Sequence, residues 1–365
     1  MSGRVLVMAG GTGGHVFPAL AVAEALRARA IEVVWMGTRL GLEARIVPEA
    51  GITMEWIRIG GVRGKSLLAR MAAPLNLALA VMRAARIIAR VRPSVVLGMG
   101  GYASGPGGLA AWLLRRPLVI HEQNAVAGYT NRVLARLADR VLSAFPGAFP
   151  PGARAEVVGN PVRRAIAALP EPGLRYGERK GPPRLLVLGG SQGALRLNEV
   201  VPQALARLPE AARPQVRHQA GTATLERAHE AYREAGVAAD VHEFIDDMAE
   251  AYAWSDLAIC RSGALTVSEL AAAGVPAVLV PFPAAVDDHQ TLNGGYLVAA
   301  GAAVLVPEAQ LDPDGLARLL AGLLPDRTRL LDMARRARGA ARPRALVAIE
   351  RACLEAGGLP LDAAR

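Results

Sequence analysis

The sequence predicts an α/β protein of two domains, each built around a parallel β-sheet. Its 365 residues, 52% of them hydrophobic, suit two domains at roughly 150 residues per domain. Short apolar runs alternate with helical patterns along the whole chain, and this alternation is typical of βαβ units. The two halves also open alike, because Val5–Gly14 and Leu185–Gly193 are each an apolar run followed by a glycine turn and a helical pattern.

Ten apolar runs are predicted to be strands. Most are apolar at consecutive positions, as expected for strands that helices cover on both faces. They are Val5–Ala9, Glu32–Met36, Ser94–Gly98, Pro117–His121 and Arg140–Ser143 in the first half, and Arg184–Leu188, Val216–Gln219, Asp256–Cys260, Ala277–Pro281 and Ala303–Val306 in the second. The Pro- and Gly-rich segment Leu169–Pro183 is predicted to be a loop or linker. We place the domain boundary near Pro161–Arg163, which gives domains of residues 1–162 and 163–341.

Charge, cysteine content and the length of the apolar runs exclude several classes of protein. The net charge of +10 comes almost entirely from arginine, and either a biased composition or a surface for phosphates or anionic lipid accounts for it. The charge forms no run and accompanies no nucleic-acid motif, so nucleic-acid binding is not predicted. Two cysteines make no disulfide framework and fit a reducing compartment. The apolar start of the chain stops at glycines, as in a buried strand rather than a signal peptide, and no stretch is long enough for a membrane span.

Four glycine-containing turns follow predicted strands. Such a turn places backbone N–H groups and a helix N-terminus at one point, where phosphate binds well. One turn alone is weak evidence, but ligands of open α/β sheets bind at this edge. The turns are Gly10–His15, Gly98–Pro106, Gly189–Gly193 and Arg261–Glu269.

One turn also fits an NAD-dependent oxidoreductase. Gly98, Gly100 and Ala103 have the dinucleotide-binding spacing, and Glu122 ends the next strand near the place of a ribose-binding acid. This alternative leaves the other three turns unexplained.

Several polar residues at strand ends are candidates for chemistry. His15 follows the first glycine turn and is either a solvated helix residue or a general base. The run His121–Asn124 ends an apolar strand and is either a polar loop that caps a helix or a site for sugar hydroxyls and acceptor. Glu269 is either an exposed helix residue or an acid that accepts both ribose hydroxyls.

Two acidic clusters have residues that could ligate a metal. Asp312-Pro-Asp314 has the Asp-x-Asp spacing but precedes a helical pattern, and Asp287-Asp-His289 offers three possible ligands. Both are better interpreted as helix starts. No metal and no cofactor is predicted, and helix dipoles and backbone N–H groups would stabilise a diphosphate leaving group.

An apolar helical stripe lies within a basic segment. Its members recur at spacings of three and four, and they are Leu68, Met71, Leu75, Leu79 and Met82. Arginines, among them Arg83 and Arg86, surround it. The stripe is either the buried face of a long helix or a surface that docks on an anionic membrane.

These motifs together resemble the MurG family of UDP-N-acetylglucosamine–undecaprenyl-pyrophosphoryl-muramyl-pentapeptide N-acetylglucosaminyltransferases. The resemblance covers nearly the whole chain. It is carried by Gly10–Pro18, Gly98–Pro106, His121–Asn124, Val158–Arg163, Gly189–Ala194, Glu243–Met248, Cys260–Glu269 and Asp288–Asn293. Divergence is confined to Ala148–Ala155, Leu169–Pro183 and the C-terminal end, none of which touches a motif.

The resemblance implies the GT-B architecture, two Rossmann-like domains facing across a cleft, with a C-terminal helix at about 342–357 returning to the first domain. It implies UDP-N-acetylglucosamine as donor, held mainly by the second domain, and undecaprenyl-pyrophosphoryl-MurNAc-pentapeptide as acceptor, held by the first. The implied substrate-binding residues are Thr12, Gly13, Gly14, Asn124, Arg163, Ser191, Ile245, Ala264, Leu265, Thr266, Val267, Ser268, Glu269 and Gln290. The implied acceptor-side residues are Gly100, Gly101, Tyr102 and Ser104.

The implied reaction inverts configuration. The muramyl 4-hydroxyl attacks the anomeric carbon, with His15 or Glu122 as the base, at the cytoplasmic face of the cell membrane. A UDP-sugar epimerase of the same architecture and a catalytically inactive UDP-sugar-binding module remain as alternatives.

Overall fold

The computed structural model describes residues 3–59, 73–177, 179–190, 193–285 and 288–361. The chain divides into two compact units, the first formed by Met1–Val162 with Pro343–Arg365 and the second by Arg163–Arg342.

A parallel sheet forms the centre of the first unit. Among its described residues the sheet has seven strands in the order β3-β2-β1-β4-β5-β6-β7. The strands are β1 (Arg4–Met8), β2 (Glu32–Gly37), β3 (Thr53–Trp56), β4 (Val95–Gly98), β5 (Leu118–Glu122), β6 (Arg140–Ser143) and β7 (Ala155–Val157). The helices are α1 (Gly13–Ala28), α2 (Glu43–Glu49), α3 (Ala73–Val91), α4 (Ser104–Leu113) and α5 (Tyr129–Leu134).

A second parallel sheet forms the centre of the second unit, with six strands in the described residues in the order β10-β9-β8-β11-β12-β13. They are β8 (Arg184–Leu188), β9 (Gln215–Gln219), β10 (Asp240–His242), β11 (Leu257–Cys260), β12 (Ala277–Leu279) and β13 (Ala303–Leu305). The helices are α6 (Arg164–Ala167), α7 (Pro172–Gly177), α8 (Leu195–Ala206), α9 (Leu225–Ala235), α10 (Met248–Trp254), α11 (Ala264–Ala273), α12 (His289–Ala299), α13 (Pro313–Leu323) and α14 (Arg327–Ala340).

The α/β fold with two parallel sheets is confirmed, and all ten predicted strands are present within a residue or two of their predicted ends. The prediction missed β3, β7 and β10, which are edge strands of three or four residues. An edge strand has only one neighbouring strand, and these three are half-exposed. They therefore lack the continuous apolar run that marks a strand covered on both faces.

The last helix, α15 (Ala345–Ala356), packs against α1 and the β4–β6 part of the first sheet. Its Ile349 and Cys353 are buried in that core, and an Arg29–Glu350 ion pair ties it to the end of α1. Cys353 and Cys260 are both buried free thiols. Burial raises the pKa of each thiol to about 12, so neither is a nucleophile near neutral pH.

Among the described residues, no helix combines the length and apolar character needed to cross a bilayer.

Candidate active site

The first cluster of candidate residues lies at the carboxyl edge of the first sheet. Strands β1, β4 and β5 are neighbours in the sheet, so the segments that follow them meet at one edge. After β1, the extended residue Thr12 precedes α1, and the helix begins at Gly13. The first N–H groups of a helix have no partner within it. Gly13 and Gly14 therefore offer N–H donors at a positive helix end.

The loop after β4 packs closely on the loop after β1, and this requires glycine at two positions. Gly100 and Gly101 both have positive φ, +95° and +84°. A Cβ at Gly101 would overlap the carbonyl oxygen of Gly10, and one at Gly100 would lie 2.5 Å from Nδ1 of His15. The glycines predicted for phosphate binding thus also let the His15 ring pack against the loop.

The remaining acceptor-side candidates divide into one exposed and one buried residue. Tyr102 is exposed beside the loop. Ser104 is fully buried, and its hydroxyl faces the backbone oxygens of Met8 and Gly100 at 3.1 and 2.8 Å. These contacts give Ser104 a role in joining the two loops rather than in touching a ligand.

His15 is half-buried and contacts the segment that follows β5. Its Nδ1 lies 3.0 Å from Oε1 of Gln123. Gln123 is buried, and its Nε2 donates to the carbonyl oxygen of Met99 at 3.0 Å. The structure therefore brings the glycine loop of β1 and the His121–Asn124 motif together, as their shared sheet edge predicts.

Glu122 is buried and holds the loop that follows it. Oε1 accepts hydrogen bonds from the backbone N–H and side-chain amide of Asn124, at 2.9 and 3.1 Å. Oε2 accepts from the Gly128 N–H at 3.1 Å and from the Asn131 amide at 2.9 Å. A carboxylate with four N–H donors is well suited to ordering a loop and poorly placed to take a proton from a substrate.

We predict that Glu122→Ala lowers the free energy of unfolding by about 1.5–3 kcal/mol, the scale of a buried hydrogen bond to a charged group. Urea denaturation of the variant measures this difference. Glu156→Ala is the matched control, because Glu156 is exposed on the same sheet. An unchanged unfolding curve for Glu122→Ala would show that the carboxylate does not hold the loop.

A further acid, Glu43, supports the first glycine loop, although no sequence motif marks it. Glu43 is fully buried, and its carboxylate accepts from the Gly11 N–H at 2.9 Å and from the N–H and hydroxyl of Thr38 at 3.0 and 2.8 Å. A lone glutamate in a short helix carries no pattern that marks such a role, since the contact spans 32 residues.

In the second unit, Arg163 and Glu269 form an ion pair. Nε and Nη2 of Arg163 lie 3.0 and 2.9 Å from the same carboxylate oxygen of Glu269. The Tyr252 hydroxyl donates to the other oxygen at 3.2 Å. Burial raises the pKa of the Glu269 carboxyl, and Arg163 opposes that rise. The paired arginine thus helps to keep a buried acid charged.

The helix that carries Glu269 begins at the same place. Gly263 precedes α11, and the first turn is Ala264–Thr266. Leu265, Thr266 and Ser268 are half-buried, whereas the Val267 side chain is fully buried. The start of an α-helix is its positive end, and anions bind well at such a place. The Val267 N–H bonds to Gly263 O within the helix, so Val267 contributes packing there.

Two donor-side candidates are engaged within the chain. The Ile245 N–H donates to Oε1 of Gln219 at 3.1 Å, so this N–H is engaged within the second unit. Oε1 of Gln290 accepts from the Phe282 N–H at 2.9 Å. Ser191 lies outside the described residues.

Each of the two acidic clusters includes the residue that precedes a helix. Asp312 is the N-cap of α13, and its carboxylate accepts from the Gly315 N–H at 2.8 Å, which lowers the pKa of Asp312. Asp314 forms an ion pair with Arg207. Asp288 precedes α12 and accepts from the Thr291 hydroxyl at 2.7 Å, while Asp287 is outside the described residues.

The described part of the apolar stripe faces solvent rather than the core. Leu75 and Met82 are 66% and 48% exposed, and Leu79 is half-buried. Leu77, Arg83 and Arg86 are also exposed. The core face of α3 is a different set, made by Ala80, Ala84, Ile87, Ile88 and Val91. Leu68 and Met71 lie outside the described residues.

A neighbouring helix adds exposed apolar residues that belong to no predicted motif. α4 packs against α3, and Trp112, Leu113 and Leu114 at its end are exposed. Arg115, also exposed, follows them. Their short run lacks helical periodicity, so only the structure reveals that they face solvent.

Both halves of the chain match models of one known protein family. Residues 5–143 match the glycosyltransferase family 28 N-terminal domain, and residues 184–349 match the C-terminal domain of the same family. The chain is 59% identical over 355 residues to the UDP-N-acetylglucosamine–N-acetylmuramyl-(pentapeptide) pyrophosphoryl-undecaprenol N-acetylglucosamine transferase of Nitrosococcus oceani, with 97% of this chain and 99% of that protein covered. It is 60% identical over the same length to the protein of that name from Alkalilimnicola ehrlichii, with the same coverage.

A solved structure gives the same result. The crystal structure of Acinetobacter baumannii MurG superposes with a TM-score of 0.86 at 41% identity, covering 97% of this chain and 99% of that one. Both domain models and relatives of nearly equal length therefore identify this chain as a member of glycosyltransferase family 28 and, within it, of the MurG family.

Proposed function

We propose that this protein transfers N-acetylglucosamine from UDP-N-acetylglucosamine to the 4-hydroxyl of a lipid-linked muramyl-pentapeptide, with inversion at the anomeric carbon. The observation that carries the proposal is the 59% identity over 97% of the chain to a transferase named for this donor and acceptor. The product belongs to peptidoglycan synthesis, on which cell shape and division depend.

The first unit holds the acceptor in this proposal. The N–H groups of Gly13 and Gly14 and the loop at Gly100–Tyr102 lie at the edge where anions bind open α/β sheets. His15 removes the proton from the attacking hydroxyl. We prefer it to Glu122, whose two oxygens already accept four hydrogen bonds.

The second unit holds the donor. The first turn of α11 stabilises the diphosphate through backbone N–H groups and the helix dipole. Glu269 accepts the ribose hydroxyls, Arg163 lies beside it, and the carbonyl of Ile245 accepts from the uracil N–H. The negative charge that develops on the UDP leaving group is then stabilised by the positive end of α11, which is in place before the reaction.

Removing Glu269 is expected to weaken UDP binding by roughly 1.5–3 kcal/mol, the scale of a hydrogen bond to a charged group. Isothermal titration of Glu269→Ala with UDP measures this loss, and Glu234→Ala, an exposed acid on α9, serves as the matched control. The loss should be much smaller for a dideoxyribose analogue. An equal loss of affinity for UDP and for the dideoxyribose analogue would show that Glu269 does not bind the ribose hydroxyls.

We further propose that the protein docks on the cytoplasmic face of the cell membrane as a peripheral protein, with an anionic surface as partner. The exposed residues Leu75 and Met82, seven positions apart on α3, supply an apolar face, and Arg83 and Arg86 supply charge beside it. Exposed apolar groups flanked by arginine fit insertion at a lipid interface. The lipid tail of the acceptor stays in the bilayer, since exposing each CH₂ to water costs about 0.8 kcal/mol.

One assay separates the proposed activity from its alternatives. Labelled UDP-N-acetylglucosamine is mixed with protein and lipid-linked acceptor, and the label is followed into lipid. Transfer that depends on acceptor supports the transferase. Conversion of the donor without acceptor would indicate an epimerase, and nucleotide binding with no turnover would indicate an inactive binding module.

A further inference from the structure

A buried chain of hydrogen bonds connects His15 to the interior of the first unit. It runs from Nδ1 of His15 to Oε1 of Gln123 at 3.0 Å, and from Nε2 of Gln123 to Nδ1 of His121 at 3.2 Å. It ends where Nε2 of His121 meets the carbonyl oxygen of Gly159 at 2.9 Å. His121 and Gln123 are buried almost completely.

Which atom donates at each hydrogen bond of this chain follows from the backbone carbonyl oxygens that it contacts, because they can only accept. A carbonyl oxygen only accepts, so Nε2 of His121 carries a proton and donates it to Gly159. Burial lowers the pKa of His121 to about 4, so near neutral pH the ring is uncharged and its Nδ1 is an acceptor.

The orientation of the Gln123 amide is set in the same way. Its Nε2 faces two acceptors, Nδ1 of His121 and the carbonyl oxygen of Met99, and this matches the two protons of an amide nitrogen. The reversed amide would place Oε1 against the Met99 oxygen, where neither atom can donate. Asn160 also holds the Gln123 backbone, because its amide donates to the Gln123 carbonyl at 3.1 Å. Oε1 of Gln123 therefore points to His15 as an acceptor.

We infer that Gln123, backed by His121, is a positioning residue that holds neutral His15 in the tautomer with its proton on Nδ1. Nε2 then carries the lone pair, and it is the nitrogen that takes the proton from the attacking hydroxyl. The inference rests on the proposed role of His15 as base. It parallels general-base sites in which a third group selects the tautomer of a histidine, but here the selecting group is a neutral amide.

The tautomer can be observed directly in the unmodified protein. Two-bond ¹H–¹⁵N correlation spectra distinguish protonated from bare ring nitrogens, and the His15 signals among the six histidines are assigned by their loss in His15→Gln. We expect a protonated Nδ1 and a bare Nε2 on His15 when the ring is neutral. A proton on Nε2 of neutral His15 would overturn the inference without any variant.

Two substitutions at one position separate positioning from packing. Gln123→Met keeps the length of the side chain and removes the amide acceptor, so neutral His15 should shift toward the Nε2–H tautomer. We expect kcat to fall by about 10- to 100-fold, less than the roughly 10²–10⁴-fold that a positioned base contributes. UDP affinity and the KM for the donor should stay unchanged, because Gln123 lies in the other unit from Glu269.

Gln123→Glu keeps an acceptor opposite Nδ1 of His15, and its second oxygen, which faces the Met99 carbonyl and Nδ1 of His121, must carry a proton to replace the amide donor. In this protonated form the variant should preserve the Nδ1–H signal and retain a higher kcat than Gln123→Met. Equal kcat values and unchanged His15 spectra in the two variants would overturn the inference. If His15→Ala leaves kcat unchanged, His15 is not the general base, whichever tautomer it adopts. If His15 is essential but carries its proton on Nε2, only the role of Gln123 fails.

Discussion

His15→Ala is expected to lower kcat by about 10²–10⁴-fold, the contribution of a positioned general base, while UDP affinity stays nearly constant. The imidazole lies at the start of α1, packed against Gly100 and bonded to Gln123. It is thus held at the edge where we place the acceptor, in a unit separate from Glu269 and α11. The loss therefore falls on the chemical step rather than on donor binding.

The measurement is a steady-state assay with saturating donor and acceptor, together with titration of UDP. His229→Ala is the matched control, because His229 is an exposed histidine on α9 and should leave both quantities unchanged. A nearly unchanged kcat in His15→Ala, combined with complete loss in a folded Glu122→Ala protein, would move the base to Glu122.

Replacing Leu75 and Met82 by aspartate is expected to abolish vesicle binding and turnover on acceptor embedded in a bilayer. Leu75 is 66% exposed, and Met82, two turns further along the same helix face, is 48% exposed, so the substitutions add charge at the surface without opening the core. Charge at this face repels anionic lipid and prevents insertion, whereas each basic residue near the surface contributes on the order of 1 kcal/mol of attraction. The same variant should still transfer sugar to a short-chain acceptor in solution.

Sedimentation with anionic vesicles and the two transfer assays measure these effects. Leu174→Asp is the matched control, since Leu174 is also 66% exposed but lies on α7 of the second unit. High salt should weaken docking of the unmodified protein by screening its charge. Equal loss of activity on both acceptors in the double variant would contradict the docking role, and so would vesicle binding that survives the substitutions.

The sequence by itself determined the fold class and the positions of the core strands. Strands covered on both faces must be apolar at consecutive positions, and this local rule identified ten strands and the glycine turns that follow them. It also placed His15 and the His121–Asn124 motif at one edge, because neighbouring parallel strands end together. The interpretation of Asp312 as a helix start likewise needed only the few residues that the cap contacts.

Only the tertiary structure decided what each polar residue contacts. The sequence did not decide which face of α3 is buried, since a helical stripe of Leu and Met fits a core as well as a surface. In the structure the buried face is made by Ala80, Ala84, Ile87, Ile88 and Val91. It also left Glu122 as a possible base, whereas its partners Gly128 and Asn131 become visible only when the loop folds back. Glu43 and Gln123 act across 32 and 108 residues of chain. Such contacts depend on how the sheet brings distant loops together, and no local pattern of residues encodes them.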